Sequence, residues 1–250
     1  MCENAVLRSV HCRFVRNMKS YAQAKSEQRA RWLRLREANM EDRFKHMKAL
    51  QPSAANFSGI LQKAVLAIQA RINPVLAIAL SDRDKSVLLL LPIWVEPGGI
   101  TIIVVPSITQ YQDIQWRCDE LCILCAAWTS SMDLPCNASI VLVTLDLAMS
   151  DAVGMFIDRL EKARRLDRIV IDECEQLLGV LPNFRRKSRA LAMLRRCGVQ
   201  IVMVSAILSS NQEEILWRKM GWMSKEVAVF RREEEDAALG DYHENMLRTC

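Results

Sequence analysis

The sequence predicts an α/β protein in which helices cover both faces of a parallel β-sheet. One observation is that short apolar strands alternate with helical segments along most of the chain. Another is a β-branched run, Ile169–Ile171, which shows no polar alternation and leads directly into Asp172 and Glu173. Such a run is typical of a strand that is buried on both faces, as the strands of parallel sheets are.

The strand and helix pattern can be followed segment by segment. The predicted strands are residues 75–80, 101–105, 139–144, 169–172 and 199–205, and the predicted helices are residues 85–91, 109–128, 152–164, 188–197 and 211–220. Repeated β-α units of this spacing require a parallel sheet with covered faces. Ligands of such sheets bind outside the carboxyl ends of the strands, where Asp172 and Glu173 are expected.

Length and composition limit the possible classes of protein. A chain of 250 residues can bury one core, or one core with an appendage, and its net charge of +5 permits nucleic-acid binding without requiring it. The most apolar region, residues 75–94, is interrupted by charged residues at 82–85, so we expect no membrane span. Charged residues also interrupt the N-terminus, where a signal peptide would be apolar. We therefore expect a nuclear or cytoplasmic protein without a membrane partner.

The nine cysteines show no spacing typical of a disulfide framework, which indicates free thiols in a reducing compartment. Cys118, Cys122 and Cys125 lie close together in the sequence. Because they fall in a helical pattern without a nearby histidine, packing is favoured over a zinc site.

Residues 1–54 are predicted to form a basic helical extension. Four apolar residues recur there at helical spacing, namely Met40, Phe44, Met47 and Leu50. A basic cluster surrounds Trp32 and comprises Arg29, Arg31, Arg34 and Arg36. A solvated helix face is the favoured interpretation, and an arm that follows phosphates or binds a partner is the alternative. The loop at residues 51–57 is the predicted boundary, and residues 231–250 are predicted to be a charged tail.

Two adjacent carboxylates at the end of a buried strand have a well-known use. One holds a Mg²⁺ that is bound to a nucleotide, and the other positions the attacking water. The alternative is a strand that ends in a solvated acidic turn, and Asp172 and Glu173 alone leave both interpretations open.

Several segments, taken in order, resemble helicase motifs. Residues 167–174 resemble the Walker B, or DEAH-box, motif of superfamily 2 helicases. Residues 74–91 occupy the place of the Walker A motif, and motifs Ia, Ib and III correspond to residues 98–106, 139–144 and 202–206. Together they resemble the first RecA-like domain of RecQ-family DNA helicases, of the kind abundant in fungal genomes. The resemblance covers residues 55–230.

The resemblance implies a RecA-like P-loop NTPase domain of an ATP-dependent 3'-5' DNA helicase, with ATP and Mg²⁺ as cofactors. Gln62 would read the adenine, since an amide can both donate and accept. Lys85 would hold the β- and γ-phosphates, and Ser86 and Asp172 would hold Mg²⁺. Glu173 would orient the attacking water.

The resemblance also implies a DNA-sensing loop after the DEAH box. The corresponding residues here are Phe184, Arg185, Arg186 and Lys187. Phe184 could stack on a base while the three cations hold phosphates. A solvated basic loop is the alternative.

The sequence departs from the family at the points where ATP is used. The segment 80–84 has none of the glycines that let a backbone curl around phosphates, and Glu175 replaces the DEAH histidine. We also expect the second RecA-like domain, which supplies arginine fingers, to be missing from this truncated and degenerate chain, so that a partner chain would have to lend it.

Three functions stay open on the sequence: a weak ATPase, a non-catalytic DNA- or partner-binding module, and a functionless relic of a helicase. The missing glycines argue against the first. We expect no helicase activity and negligible ATP hydrolysis.

Overall fold

The computed structural model describes residues 20–50, 56–78, 80–128, 137–179 and 198–231. The described helices are α1 (Tyr21–Glu37), α2 (Met40–Leu50), α3 (Gly59–Gln69), α4 (Asp82–Val95), α5 (Ile108–Glu120), α6 (Leu145–Ala148), α7 (Asp151–Lys162), α8 (Gln176–Gly179) and α9 (Ser210–Met220). The strands are β1 (Val75–Ile78), β2 (Ile100–Val105), β3 (Cys125–Ala127), β4 (Ile140–Thr144), β5 (Leu166–Ile171), β6 (Gln200–Ser205) and β7 (Ala228–Phe230).

The seven strands form one sheet in the order β3-β4-β2-β5-β6-β1-β7, and each neighbouring pair is parallel. Every residue of β1, β2, β5 and β6 is buried, as the uninterrupted apolar runs predict. The pairings Ile78 with Ser205 and Ile171 with Met203 bring the carboxyl ends of β1, β5 and β6 to one edge. The predicted fold class is confirmed.

A hydrophobic core lies on each face of the sheet. On one face, α7 and α9 bury residues such as Phe156 and Trp217 against β5 and β6. On the other face, α2, α3, α4 and α5 cover the sheet, and Met40, Phe44 and Met47 of α2 belong to this core. Leu50, the fourth apolar residue of the predicted α2 stripe, is 58 % exposed.

The first helix is attached to the sheet by polar contacts, since its buried residues are Gln28, Arg31 and Leu35. The Gln28 amide donates to the Leu166 carbonyl at 3.1 Å, and the Arg31 guanidinium donates to both Asp167 oxygens at 2.9 and 3.1 Å. The interpretation of the basic cluster as a solvated helix face is therefore wrong for Arg31.

Two further contacts fix the end of α1. The Arg34 guanidinium donates to both Glu96 carboxylate oxygens at 2.7 and 3.0 Å, so Arg34 is also not a freely solvated cation. The Gln69 amide donates to three carbonyls at the end of α1, those of Leu35, Arg36 and Ala38. The Leu35 carbonyl also accepts from the Ala38 amide at 3.3 Å, so the Gln69 amide adds to the backbone closure of this helix end. The predicted boundary at residues 51–55 lies outside the described residues, and the division into extension, domain and tail stays a prediction.

A β-bulge places Asp167 beneath α1. In the pairing of β2 with β5, Ile100 is opposite Leu166 and Thr101 is opposite Arg168, which leaves Asp167 as the additional residue. Gly99 is required next to it, because a Cβ at this position would lie 1.8 Å from Asp167 Oδ2.

The prediction of one helix over residues 109–128 is wrong beyond Glu120. Cys122 has a φ of +53°, and the Cys122 and Ile123 amides donate to the Asp119 and Cys118 carbonyls, which closes α5. The chain then forms the edge strand β3. Of the three neighbouring cysteines only Cys118 is buried, while Cys122 is exposed, so the packing interpretation holds for Cys118 and is wrong for Cys122. No group of three or more ligating side chains among the described residues could hold a metal.

Some predictions fall outside the described residues: the helix at 188–197, the loop at 184–187 and the tail after residue 231. Across the described ranges, no helix has both the length and the apolar composition that crossing a membrane requires.

Candidate functional site

The acidic turn after β5 is held by hydrogen bonds to both neighbouring strands. The Asp172 amide donates to the Val104 carbonyl of β2, and the Cys174 amide donates to the Val204 carbonyl of β6, each at 2.9 Å. These bonds extend the sheet past the last residue of β5. Asp172 therefore has a fixed position at the carboxyl edge, which it shares with Lys85 of α4 and Ser205 of β6.

A cavity of about 170 Å³ opens beside Asp172, between α4 and α5. Three of the predicted site residues line it together, namely Lys85, Ser86 and Asp172. Asp82 of the predicted phosphate segment also lines the cavity. The sequence analysis missed three further polar residues of the lining, Gln110, Asp113 and Arg117. A signal for Gln110 exists in the sequence, because Ser107 and Gln110 have helix-capping spacing directly after a strand.

Burial dominates the electrostatics of Asp172, which is 9 % exposed. Burial raises the pKa of its carboxyl group, while the nearby charge of Lys85 and a hydrogen bond from the Glu173 amide lower it. Lys85 is 8 % exposed, and an ion pair joins Lys85 Nζ to Asp82 Oδ1 at 3.9 Å. The cavity thus holds a buried cation close to a buried acid.

The neighbouring acid, Glu173, does not line the cavity. The φ of Glu173 is +46°, so the backbone leaves the extended strand conformation at this residue. Both of its carboxylate oxygens accept hydrogen bonds, one from the Gln110 amide and the other from the Gln176 amide at 2.6 Å. In this arrangement, the predicted water-positioning carboxylate is bound by two side-chain amides.

The segment predicted to be a phosphate loop is mostly helical. Ser81 caps α4, and residues 82–84, interpreted from the sequence as loop, form its first turn. The Asp84 amide donates to Ser81 Oγ at 3.2 Å and the Lys85 amide donates to the Ser81 carbonyl at 2.8 Å. Two of the amides that would hold phosphate oxygens in a P-loop, those of Asp84 and Lys85, therefore already have partners. A triphosphate does not fit this segment, and a nucleotide-sized pocket would have roughly 300 Å³ or more.

The oxygen atoms that the predicted Mg²⁺ ligands offer to the cavity are too few for a site made of protein ligands alone. Asp172 and Ser86 offer one carboxylate and one hydroxyl oxygen to the same cavity, although Ser86 Oγ also donates to the Asp82 carbonyl at 2.7 Å. Mg²⁺ that arrives with phosphates takes only one or two protein oxygens. These residues could therefore hold Mg²⁺ only together with a ligand that supplies further oxygens.

The remaining predicted residues lie elsewhere. Gln62 is half-buried in the first turn of α3 and does not line the cavity. Phe184, Arg185, Arg186 and Lys187 lie outside the described residues. Glu175, at the position of the DEAH histidine, is half-buried, and its Oε2 is a buried atom without a hydrogen-bond partner in the described part of the chain.

Solved helicase structures share this arrangement of helices and strands. The crystal structure of the DUF1998 helicase MrfA superposes with a TM-score of 0.56 at 16% identity, covering 78% of this chain and 33% of MrfA. MrfA bound to DNA and AMPPNP superposes equally, with a TM-score of 0.56 at 14% identity over 74% of this chain and 29% of MrfA. A hypothetical ATP-dependent RNA helicase from Sulfolobus tokodaii gives 0.50 at 15% identity, covering 76% of this chain and 56% of its own.

The chain has a RecA-like, helicase-type fold. No protein-family model matches it, and no curated protein matches it significantly. The helicase-type fold spans about a third of the length of MrfA and about half of that of the Sulfolobus protein. At these identities, the likeness concerns the fold and not the activity.

Proposed function

We propose that this chain corresponds to the ATP-binding domain of a RecQ-like, DEAH-box DNA helicase, and that it has lost both the binding and the hydrolysis of ATP. The observation that carries the proposal is the amino end of α4. There, Ser81 and the first helical turn take up the amides that a P-loop would offer to phosphates.

The charge of this helix end adds to the effect. Asp82 and Asp84 lie in the first turn, and Asp82 lines the cavity. A carboxylate ~4 Å from a phosphate charge costs on the order of 4 kcal/mol at an effective dielectric of about 20. Solvent reduces this cost at the exposed Asp82. The remaining repulsion still opposes a polyphosphate, and Lys85 is the cation of α4 that lines the cavity.

The catalytic step meets a second obstacle. Glu173 would have to leave Gln110 and Gln176 before it could position a water molecule at the cavity. Asp172 keeps the place of a magnesium ligand, and Lys85 keeps that of the phosphate-binding lysine. The site thus combines retained charged residues with a closed phosphate segment, as expected of a helicase domain that has lost turnover.

We extend the proposal to nucleic acid. Two of the similar structures are of MrfA bound to DNA, and the loop at residues 184–187 carries the aromatic and basic residues of a DNA-sensing loop. The chain would then act as a non-catalytic DNA-binding module in the nucleus, or would pair with a second helicase domain supplied in trans.

Titration of labelled ATP tests the nucleotide part of the proposal. We expect no measurable binding of Mg·ATP to the natural chain. The triple substitution of Asp82, Arg83 and Asp84 by glycine should restore binding, because it removes two carboxylates and frees the backbone. Adding Lys85→Met to the triple variant is the matched control and should abolish the restored binding. Neither variant should unwind DNA.

Hydrolysis is followed in the same samples. DNA-stimulated turnover by the natural chain that is abolished by Glu173→Gln would contradict the proposal. It would show that Lys85, Asp172 and Glu173 suffice for the reaction.

A further inference from the structure

The amino edge of the sheet, opposite the cavity, holds a group of arginine side chains around one carboxylate. The arginine cluster consists of Arg31 of α1, Arg71 after α3 and Arg168 of β5, with Asp167 of the β-bulge at its centre. Arg31 and Arg168 are 7 % and 4 % exposed, and Asp167 is 8 % exposed. Three guanidinium groups and one acid are therefore concentrated in a poorly hydrated region.

The Asp167 carboxylate accepts hydrogen bonds from two residues of α1. Arg31 donates to Oδ1 at 2.9 Å and to Oδ2 at 3.1 Å, and Trp32 Nε1 donates to Oδ1 at 3.3 Å. This bidentate pair neutralises one of the three guanidinium charges. Asp167 is also the carboxylate that acts on the charges of Arg71 and Arg168. Two positive charges are left without an acid of their own.

These two arginines also have unused hydrogen-bond donors. Among the described residues, Arg168 Nε and Arg71 Nη1 are buried nitrogen atoms without a hydrogen-bond partner. Burial lowers the pKa of Arg168 to about 10, with a further lowering by Arg71, and burial also lowers the pKa of Arg71. Both side chains nevertheless stay charged at neutral pH. Burying a charge that has no counter-ion, and an N–H group that has no acceptor, costs much free energy. A bound anion would remove both costs.

Arg71 is the most exposed arginine of the cluster, and its side chain has a fixed position. Arg71 is half-buried, and its guanidinium carbon lies 3.7 Å from the centroid of the half-buried Trp32 ring. Its φ of +58° is uncommon for arginine, and a Schellman arrangement at the end of α3 holds it in this conformation. Stacking on Trp32 fixes the plane of the guanidinium group and keeps its edge available for donation.

We propose that the arginine cluster binds a tetrahedral oxyanion of the phosphate class, held by Arg71 and Arg168. The planar guanidinium fork matches the oxygen geometry of phosphate and sulfate. The free ion and the phosphate group of a nucleotide share this chemistry. The site lies at the edge opposite Lys85 and Asp172, so it does not depend on the proposed nucleotide site.

Calorimetric titration of the full chain with inorganic phosphate, at ionic strength held constant with chloride, tests the proposal. We expect binding to the natural chain and a dissociation constant raised roughly tenfold or more by Arg168→Gln or Arg71→Gln, because each variant loses a charge-assisted hydrogen bond. Arg29→Gln is the matched control: Arg29 is exposed on the same helix as Arg31. It should bind phosphate as the natural chain does. Weakening of phosphate binding by Lys85→Met and not by the Arg168 and Arg71 variants would assign the phosphate to the cavity beside Asp172 and overturn the proposal.

Thermal unfolding supplies a second readout that does not depend on heat signals. Phosphate should raise the melting temperature of the natural chain and of Arg29→Gln, and it should raise that of Arg168→Gln much less, since ligands stabilise the state to which they bind. In chloride alone, Arg168→Gln should be at least as stable as the natural chain, because an unpaired buried charge is removed. Arg71→Gln, at a half-buried position, provides the same comparison if Arg168→Gln does not fold.

Adenosine monophosphate in place of inorganic phosphate distinguishes the two sources of the anion. Equal weakening of both ligands by Arg168→Gln would assign the site to any phosphate group, and binding of inorganic phosphate alone would assign it to the free ion. Phosphate binding that is absent, or that is equal in all four arginine and lysine variants, would overturn the proposal.

Discussion

At the scale of single residues, the acidic turn after β5 contains a carboxyl group whose ionisation opposes folding. Burial raises the pKa of Asp172 above its value in the unfolded chain, although Lys85 counteracts part of the shift. The folded state therefore holds this proton to a higher pH than the unfolded state does. The stability that the neutral form contributes is present at low pH and is lost as pH rises through the raised pKa.

Replacing Asp172 by asparagine tests this relation. The substitution should raise the free energy of unfolding more at pH 7 than near pH 4, because the ionised form that burial disfavours is more populated at the higher pH. Urea unfolding at both pH values measures the difference. Asp113→Asn is the control, because Asp113 lines the same cavity but is exposed. A stabilisation by Asp172→Asn that is equal at both pH values would contradict the assignment.

Gly99 makes a second prediction at this scale. Its substitution by alanine should destabilise the protein by roughly 2–4 kcal/mol, because the new Cβ would overlap the Asp167 carboxylate and disturb its pairing with Arg31. Gly198→Ala is the matched control, since a Cβ there meets nothing within 4 Å. Chemical unfolding of both variants would show a large loss for the first and almost none for the second. Equal effects would show that the bulge adapts to the methyl group.

Single residues of the site could be predicted only where a local rule applies. The rule that ligands bind at the carboxyl ends of parallel strands places Asp172, and the resemblance of residues 74–91 to the Walker A motif places Lys85 beside it. No local rule pairs Arg31 with Asp167 or Gln110 with Glu173. Each of these contacts joins residues far apart in the sequence, and each depends on the register of β5 beside β2.

At the scale of elements, several helices end without the glycine that usually allows a left-handed residue. Arg71, Cys122 and Arg164 follow α3, α5 and α7 with φ values of 58°, 53° and 56°. Each is followed by a residue whose amide donates back across the last helical turn. The sequence carries no glycine signal at these positions, and for this reason the predicted helix over residues 109–128 continues past the true end of α5.

A glycine at the end of α5 should stabilise the protein. Cys122→Gly should raise the free energy of unfolding by about 1 kcal/mol, because glycine adopts a positive φ without the steric cost that a side chain brings. Gln112→Gly is the matched control in the middle of the same helix, where glycine should cost roughly 0.5–1 kcal/mol. Thermal and urea unfolding would register opposite signs for the two variants. A destabilising Cys122→Gly would mean that the contacts of the cysteine side chain outweigh the backbone strain.

At the scale of the whole molecule, the alternation of strands and helices was enough to predict the parallel sheet. The pattern could not predict β3 and β7, which have three residues each and lie at the two edges. It also could not predict that α1 is an integral part of the fold. The helix has almost no apolar stripe, and it is attached through amide and guanidinium groups that the sequence pattern assigns to solvent.

The salt dependence of binding to single-stranded DNA is a property of the whole charged surface. The logarithm of the association constant should fall linearly with that of the salt concentration, by about 0.7 for each phosphate neutralised. Replacing Arg185, Arg186 and Lys187 by alanine should therefore reduce the slope by about 2. Fluorescence anisotropy of a labelled oligonucleotide at several salt concentrations measures it.

The control for that measurement is the double substitution of Arg29 and Arg36 by alanine, since both residues are exposed on α1. It should leave the slope unchanged. A slope that falls with this pair and not with the loop variant would assign DNA binding to α1 and contradict the loop assignment.

The position of β1 in the sheet has a consequence for synthesis on the ribosome. Its two neighbours are β6 and β7, which follow it in the chain by more than a hundred residues. At roughly 5–20 residues per second, β1 leaves the ribosome on the order of ten seconds before either partner strand exists. During that interval an apolar strand with unpaired edges is exposed, together with the helix that carries Lys85. A nascent chain of this protein should therefore bind chaperones until residues 200–230 emerge.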